Sequence, residues 1–448
     1  MMGATPPDQN ALFYDFCLDQ HVPENHLLRK LDRFLDFIDL RTHLEPYYSQ
    51  TGRPSIDPEL MVRMLLIGYC YGIRSERRLC EEVSLNLAYR WFCKLGLEKA
   101  IPNHSTFSKN RHGRFRDSEV IRLLFNTVVA RCIDEGLVEA EGFAIDASYI
   151  RADAARQNFV HSPVDWTLEN TERSAVAEYL QLLDGHSELN RGQNSVSKSN
   201  SMCQWSGAKG SANFFYSTNY MIDVSKNIIV DVEATPSTIA LEVRATKTML
   251  DRIADTHKLK PRKLIADTAY GAAFNLGYLV DEVGVEPHIP VSSQLRDREG
   301  IFSVSDFDWN SEADEYTCPG QKRLKSRQRL LHTGQSTVTK ADTIIYRSRQ
   351  ADCRDCPLKE QCCPNTSFRK ITRSIHEAAR DVARHITASD EYENISRNER
   401  KKVEVLFAHI KTHLNFNRLR LRVLKSANDE LLMVDTVQNL KKMAQLCV

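Results

Sequence analysis

The chain has 448 residues, of which 42% are hydrophobic, so it can bury a substantial core and, by length, form roughly two to four structural units. Lysine and arginine total 60 against 59 aspartates and glutamates, so net charge alone does not indicate a polyanionic partner. No stretch approaches the roughly 18 uninterrupted apolar residues of a membrane span, and the start, MMGATPPDQNALFYDF, lacks a basic and an apolar signal region. These features predict an intracellular protein with no membrane segment.

Residues 24–135 show helical periodicity throughout. Apolar residues recur three and four positions apart in NHLLRKLDRFLDFIDL and DPELMVRMLLIGYCYGI, with proline or glycine at the breaks. We therefore predict an all-helical N-terminal domain over residues 1–140. Near its end, in PNHSTFSKNRHGRF, Ser105 or Thr106 is placed to cap a helix that carries Lys109, Arg111 and Arg114.

A sheet is predicted to begin near residue 142. GFAIDASYI is typical of a first strand, and NFFYSTNYMIDV and NIIVDVEATP of two strands joined at Ser225-Lys226-Asn227. A helix over about 238–257, a strand in RKLIAD, a helix over about 273–283 and a strand in PHIPVSS follow. This order predicts the first part of a mixed α/β core over residues 141–294, interrupted by a long polar loop between Tyr149 and Asn213.

The rest of the chain is predicted to hold an insertion and the end of the core. Residues 295–370 are an irregular, cysteine-rich inserted segment, and residues 371–448 complete the core with a long helix from Ser374 to about Val423 and a short helix after Asn428. Trp309, in FDWNSE, is expected in a core, with stacking on a flipped base as the alternative.

The inserted segment contains a candidate zinc site. Cys353, Cys356 and Cys362 follow a C-x2-C-x5-C pattern, and Cys318 is a distant fourth thiol. In an intracellular chain such a cluster favours metal binding over disulfides, and four thiolates satisfy tetrahedral Zn²⁺. Cys363 is a substitute for Cys362, and unligated reduced thiols are the alternative.

Two aspartates follow apolar runs of the predicted sheet: Asp146 in AIDASYI and Asp267 in LIADTAYG. A rigid sheet directs side chains at its strand ends into a common crevice, and a buried aspartate is costly unless it is paired or binds a metal. The alternative is that each aspartate caps the following turn.

A third carboxylate lies on the long late helix. In RNERKKVEVLFAHIKTHLNFNRLRLRVLK, the residues Arg400, Glu404 and Lys411 stand at i, i+4 and i+11, on one helical face. Basic residues outnumber acids from 395 to 425, which is a polycationic footprint, although a solvated face with ordinary salt bridges is the alternative. Three converging carboxylates would suit two Mg²⁺ or Mn²⁺ ions, since these cations prefer oxygen ligands.

These residues resemble the insertion-sequence DDE transposases of bacteria. Asp146 and Asp267 match the two catalytic aspartates of that family. Its late-helix signature is Y-x2-R-x3-E-x6-K, and Arg400, Glu404 and Lys411 match its last three positions, whereas Arg397 stands where tyrosine is expected. RPSIDPELMVRMLLIGYCYGIRSERRLCEEV and PNHSTFSKNRHGRF resemble the helical module that precedes the core in many of these transposases.

The resemblance implies an RNase H-like catalytic core that uses two metal ions to cleave DNA at element ends and to transfer strands to target DNA. It implies catalytic roles for Asp146, Asp267 and Glu404, and phosphate contacts for Arg400 and Lys411.

The resemblance also implies partners. These are double-stranded DNA at terminal inverted repeats and targets, and a second copy of the chain in a homodimer on DNA, in the cytoplasm with the nucleoid. The helical module, with Lys109, Arg111 and Arg114, would bind the terminal repeats or form the dimer. A nuclease that only cleaves, a DNA-binding inactive or domesticated copy, and a phosphohydrolase of small substrates remain alternatives.

Overall fold

The computed structural model describes residues 16–49, 51, 55–160, 195–207, 212–237, 239–291, 300–326, 337–339 and 342–447. The chain divides into two compact units. Unit one comprises residues 1–141, 145–259 and 402–448, and unit two comprises residues 142–144 and 260–401. The expected division into four consecutive segments therefore differs from the observed one, because the N-terminal helices and most of the first sheet belong to the same unit. No helix of the described residues is long and apolar enough to cross a membrane.

Unit one begins with the predicted helices. They are α1 Leu18–His21, α2 Leu27–Asp32, α3 Ile38–Leu44, α4 Pro58–Cys70, α5 Glu76–Leu85, α6 Leu87–Phe92, α7 His104–Asn110 and α8 Val120–Asp134, with a 3-10 helix Glu45–Tyr47 and a π-helix Arg111–Phe115. Helix α4 starts where the Asp57 side chain accepts from the amide of Leu60 at 3.1 Å. The predicted cap of α7 was wrong: Asn103, rather than Ser105 or Thr106, accepts from the Ser105 amide at 2.9 Å.

The C-terminal helix explains why the N-terminal helices belong to unit one. Helix α15, Leu424–Leu446, packs against α2, α4 and α8 and against strand β6, Ile228–Pro236. It has 23 residues, so the prediction of a short terminal helix was wrong. The side chain of Asn439 accepts from the amide of Ile229 at 3.0 Å and donates to its carbonyl at 2.8 Å, which joins the helix to the sheet.

The sheet of unit one has the strand order β2-β3-β4-β5-β1, with β6 beside β5. Its other strands are β1 Gly142–Arg151, β2 Phe159–Val160, β3 Val196–Ser197, β4 Gln204–Ser206 and β5 Asn213–Asp223. Strands β5 and β6 form the predicted antiparallel hairpin, and helix α9, Ile239–His257, follows as predicted.

The polar segment after Tyr149 is not wholly a loop, because its described ends form strands β2, β3 and β4. The ring of Trp205 packs against those of Phe159 and Phe214, with centroids 5.7 and 5.0 Å apart, which gives these short strands a small apolar face. Residues 161–194, in the middle of the predicted loop, lie outside the described residues.

Unit two contains the parallel strands. Residues 142–144 of β1 pair with β7, Lys263–Ile265, which pairs with β8, Glu286–His288. Helix α10, Ala273–Gly277, a π-helix, Tyr278–Val283, and helix α13, Glu377–Thr387, accompany them. The helix and the strand predicted around residues 273–290 are present, although the strand is shorter and begins earlier. Gly277 allows α10 and α13 to pack, since a Cβ atom there would lie 2.1 Å from Nδ1 of His376.

A second sheet occupies much of the predicted irregular segment. Strands β9 Asp308–Asn310, β10 Glu315–Thr317, β11 Arg323–Ser326, β12 Thr343–Arg347 and β13 Lys370–Ser374 pair antiparallel in the order β13-β12-β11-β10-β9, with short helices α11 Gln350–Arg354 and α12 Lys359–Cys362. Tyr316, Leu324, Tyr346 and Ile371 are buried together, so the segment has a core of its own and the prediction of an irregular segment was wrong. Trp309 packs on this core, 4.7 Å from Tyr316 between ring centroids, as expected for a structural tryptophan.

The predicted continuous late helix is interrupted. A π-helix, Tyr392–Ser396, precedes helix α14, Arg397–His413, and residues 414–423 are not helical. Asn415 and Val423 have φ values of +51° and +73°, which a right-handed helix does not allow. Glu404 and Lys411 nevertheless lie on one helix, as predicted.

Candidate active site

Asp146 is half-buried in the middle of β1 rather than at its end, since the strand continues to Arg151. Its Oδ1 accepts from the amide of Ala147 at 2.7 Å. The parallel pairing of β1 with β7 stops at the pair Ala144–Ile265, so Asp146 is the second residue after the last paired residue of its strand.

Asp267 has the corresponding place after β7, two residues beyond Ile265. It is half-buried, and its Oδ1 accepts from the amide of Ala269 at 2.9 Å, capping a 3-10 helix, Thr268–Tyr270. The turn-capping role considered for this aspartate is thus observed. A carboxylate has two oxygens, so this cap does not by itself exclude a ligand.

In unit one, one face of α14 is directed at β1. The ammonium group of Lys411 donates to Oγ of Ser148 at 2.6 Å and to the carbonyl of Tyr149 at 3.1 Å. Ser148 is two residues after Asp146, so their side chains share a face of the strand. Glu404 is exposed and lies seven residues before Lys411, about two turns earlier on the same helical face. The carboxylate of Glu404 takes part in no ion pair among the described residues.

Ser148 was not predicted as the partner of Lys411. The available signal was its position, two residues after Asp146 in a strand. Because the strand binds the ammonium group directly, Lys411 is held against β1 rather than extended into solvent.

Arg400 belongs to the part of α14 that lies in unit two. Its Nε is buried and has no hydrogen-bond partner in the described part of the chain. Burial raises the pKa of the nearby Tyr392 phenol, while the charges of Arg400 and Arg397 oppose this rise. Arg397, at the expected tyrosine position, binds Glu393 at 2.5 Å. Tyr392, five residues earlier, is thus a tyrosine close to Arg400 that the signature did not identify.

A buried lysine secures the start of α14 to β7 within unit two. Nζ of Lys263 lies 3.0 Å from Glu399, 3.2 Å from Glu391 and 3.4 Å from Oγ of Ser396. Oγ of Ser396 is in turn 2.7 Å from Nδ1 of His288. This network was not predicted, although a lysine at the start of the apolar strand KLI is an unusual feature that could have indicated it.

The basic residues near α7 differ in their availability. Lys109 is exposed. Arg111 donates to Glu76 at 3.2 Å and to the hydroxyl of Tyr69 at 2.7 Å, and its side chain is largely buried. The guanidinium of Arg111 is therefore engaged within the protein, and its contact with DNA stays a prediction.

Arg114 is also engaged within the protein. It donates to Oγ of Ser55 at 2.6 Å and to Oδ1 of Asn110 at 2.7 Å, and its guanidinium lies over the ring of Tyr48 at 4.5 Å. These contacts leave Lys109 as the best exposed of the three cations predicted to contact DNA.

The cysteines of the second sheet form two neighbouring sets. A Cβ atom on Gly320 would lie 3.6 Å from the sulfurs of both Cys318 and Cys356, so the two sulfurs flank the space that this glycine leaves open. The amide of Lys322 donates to the sulfur of Cys318 at 3.3 Å.

The other set comprises Cys353, Cys362 and Cys363, which pack in one buried cluster. Burial raises the pKa of Cys362 to about 12, and the neighbouring Cys363 and Cys353 add to the rise. All are free thiols. Within the described ranges, no group of three or more histidine, cysteine or acidic side chains is arranged to hold a metal ion.

Comparison with protein families gives two matches. Residues 16–113 match a family described as Transposase domain (DUF772), and residues 317–444 match one described as Transposase DDE domain. The first match covers helices α1 to α7, and the second contains Glu404, Lys411 and the cysteines discussed above. Asp146 and Asp267 lie outside both matched ranges. No solved structure matches the chain.

Proposed function

The chain belongs to the insertion-sequence DDE transposases, and on that premise we propose that it cleaves DNA at the ends of a mobile element and joins the freed 3′-hydroxyl groups to target DNA. The observation that carries the proposal lies within unit one: Glu404 lies on the face of α14 whose Lys411 binds β1 beside Asp146. Asp267, which follows β7 in unit two, is assigned to the site by its match to the second catalytic aspartate of the family.

The strand order supports an RNase H-like core. Strands β6, β5 and β1 are neighbours in unit one, and β1, β7 and β8 are parallel neighbours in unit two. With β1, β5, β6, β7 and β8 taken as the five core strands, the first aspartate is on the first strand, the second follows the fourth, and the glutamate is on a late helix. Sheet β9–β13 is then an insertion before that helix.

The three carboxylates provide the oxygen donors that Mg²⁺ and Mn²⁺ prefer. Asp146 and Asp267 are half-buried and Glu404 is exposed, so all three have surface in contact with solvent. Two bound ions would supply the positive charge that activates the attacking oxygen and stabilises the leaving oxygen.

The neighbouring cations would position the DNA. Lys411, held by Ser148 and Tyr149, keeps a positive charge beside Asp146. Arg400 is half-buried, and we assign it the phosphate contact that its match to the family signature implies. For contact with the terminal repeats outside this site we retain Lys109, because Arg111 and Arg114 are engaged within the protein.

The decisive experiment is Mg²⁺-dependent cleavage of a duplex that carries the element's own end. We expect Asp146→Asn, Asp267→Asn and Glu404→Gln to lower cleavage by orders of magnitude while binding persists, because each change removes one metal-binding charge at nearly constant shape. Glu393→Gln, an exposed acid close to the same helix, is the matched control and should cleave normally.

Other outcomes favour the alternatives. If all three variants cut as well as the wild type, the proposed site is wrong. Binding without any cleavage by the wild type would indicate an inactive DNA-binding copy, and cleavage without strand-transfer products would indicate a nuclease. Light scattering of the end-bound complex tests the proposed homodimer.

We further propose one structural zinc ion in the second sheet, held by Cys318, Cys353, Cys356 and Cys362. The space beside Gly320, which the sulfurs of Cys318 and Cys356 flank, and the amide donor on Cys318 support this proposal. Zinc would hold the ligating sulfurs as thiolates despite burial. Metal analysis should find about one zinc per chain in the wild type, and less in Cys356→Ser. A wild-type protein that folds without zinc and is unaffected by chelators would exclude the site.

A further inference from the structure

Helix α14 has a second basic face. On it lies a groove of about 760 Å³, the α14–α15 groove, bordered by Lys30 of α2, by Lys402, His409 and His413 of α14, and by Lys441 and Lys442 of α15. All these residues belong to unit one.

The groove faces away from the proposed catalytic side of α14. Lys402, Leu406, His409 and His413 are spaced by four, three and four residues and therefore form one stripe. Glu404 is two residues after Lys402, which rotates it by roughly 200° around the helix, about half a turn away. A ligand in the groove is therefore not the strand held at Glu404.

The charge of the groove is uncompensated. No aspartate or glutamate of the described chain lines it. Lys402 donates to the carbonyl of Val224 at 2.6 Å and Lys441 to that of Cys70 at 2.9 Å, so neutral groups orient these cations without neutralising them. Burial lowers the pKa of His409, and the charges of His413, Lys441 and Lys442 lower it further. The cations of the groove therefore lie close enough to repel one another, and an anionic ligand would relieve this repulsion.

The shape indicates an extended anion. Lys402 and His413 are eleven residues apart on α14, a rise of roughly 16 Å. B-DNA presents one phosphate per strand about every 3.4 Å along its axis, so several phosphates pass this length. Lysines stand on α2 and α15 as well as on α14. The described lining has no Phe, Tyr or Trp on which single-stranded bases would stack, and no arginine for bidentate reading of guanine.

We infer that the α14–α15 groove binds the sugar-phosphate backbone of duplex DNA outside the segment that is cut, without reading its sequence. The inference rests on the proposed function, because it takes DNA as the substrate of the chain. The groove adds a second contact on the opposite side of the helix that carries Glu404. It would increase affinity for long duplexes and contribute little to the chemistry at a short end.

The test compares binding to a short duplex that carries only the element's end with binding to the same end extended by flanking DNA. The main variant is Lys30→Gln/Lys442→Gln, because neither side chain has a hydrogen-bond or ion-pair partner among the described residues. Lys30→Arg/Lys442→Arg keeps the charge, and Lys258→Gln/Lys260→Gln removes two exposed lysines elsewhere.

Each lost phosphate contact removes about 0.9 from the slope of log affinity against log salt. Because the main variant loses two such contacts, we expect it to bind the extended duplex roughly ten- to thirtyfold more weakly at about 0.15 M salt. The slope itself should fall by nearly 2. Binding and Mg²⁺-dependent cleavage of the short end should be unchanged, and both control variants should behave as the wild type.

Equal affinity and equal salt slope in the main variant and the wild type would overturn the inference. Loss of self-association in place of DNA affinity would also overturn it, because the groove would then bind protein. If the wild type binds no duplex of either length, the proposed function fails. If the wild type binds the short end but gains no affinity from the flanking DNA, only this inference fails.

Discussion

Replacing Lys263 with methionine should destabilise unit two by about 2–3 kcal/mol. The Lys263 side chain is 6% exposed and the Glu399 side chain is 18% exposed, and Nζ of Lys263 lies 3.0 Å from the carboxylate of Glu399. Removing one partner of a buried pair costs about 3–5 kcal/mol, mainly because the other charge is left unpaired. Because Glu399 keeps some contact with water, we expect the loss of stability to lie at or below the low end of this range. Glu391 adds little, since it is 41% exposed and also binds Arg262 at 3.1 Å.

The assay is urea unfolding combined with hydrogen exchange of the peptides that contain β7 and the start of α14. Lys263→Met should lower the free energy of unfolding and accelerate exchange in both peptides. Lys263→Met/Glu399→Met removes both charges, so most of the loss should disappear, leaving less than about 1 kcal/mol. Glu391→Gln is the control and should cost less than about 1 kcal/mol.

A functional effect should accompany the structural one, because Glu399 precedes Glu404 by five residues on the same helix. DNA cleavage by Lys263→Met should fall more than DNA binding. A loss of less than about 0.5 kcal/mol in the single variant, or a double variant as unstable as the single one, would show that Lys263 does not stabilise unit two through Glu399.

Three further outcomes follow from local features. Burial raises the pKa of Asp429 from 3.8 to about 7, so the folded chain binds a proton that the unfolded chain releases, and the stability of the wild type should fall as the pH rises from about 4 to 7. Asp429→Asn should have the melting temperature of the wild type at pH 4 and a higher one at pH 8. Equal melting temperatures at pH 8 would contradict this. Gly277→Ala should lower the free energy of unfolding in urea by about 1–3 kcal/mol, because its Cβ would overlap the ring of His376. Adding His376→Ala to this variant should restore part of the loss. An unchanged stability in Gly277→Ala would show that the His376 ring moves freely. Gly320→Val should lower zinc content, since its branches would fill the space between two cysteine sulfurs, and an unchanged zinc content would place the metal elsewhere.

Regular local periodicity made much of unit one predictable. The helical N-terminal region and helix α9 were confirmed because their apolar residues recur three and four positions apart. The hairpin of β5 and β6 was confirmed because two apolar runs flank a short turn. The second sheet was missed because its strands are three to five residues long and are too short to show a period. The length of α15 was missed because it is buried nearly all round and therefore shows no polar face.

The sequence by itself determined which residue types were available for chemistry: two aspartates after apolar runs, a glutamate between an arginine and a lysine on one helical face, and a family resemblance that the comparisons confirmed. Tertiary structure decided which cations face solvent and which serve the interior. Lys411 binds Ser148, 263 positions earlier, and Arg111 binds Glu76. Such pairings depend on which distant segments pack together, because a charged side chain is stabilised by neighbours in space, and local periodicity carries no information about those neighbours.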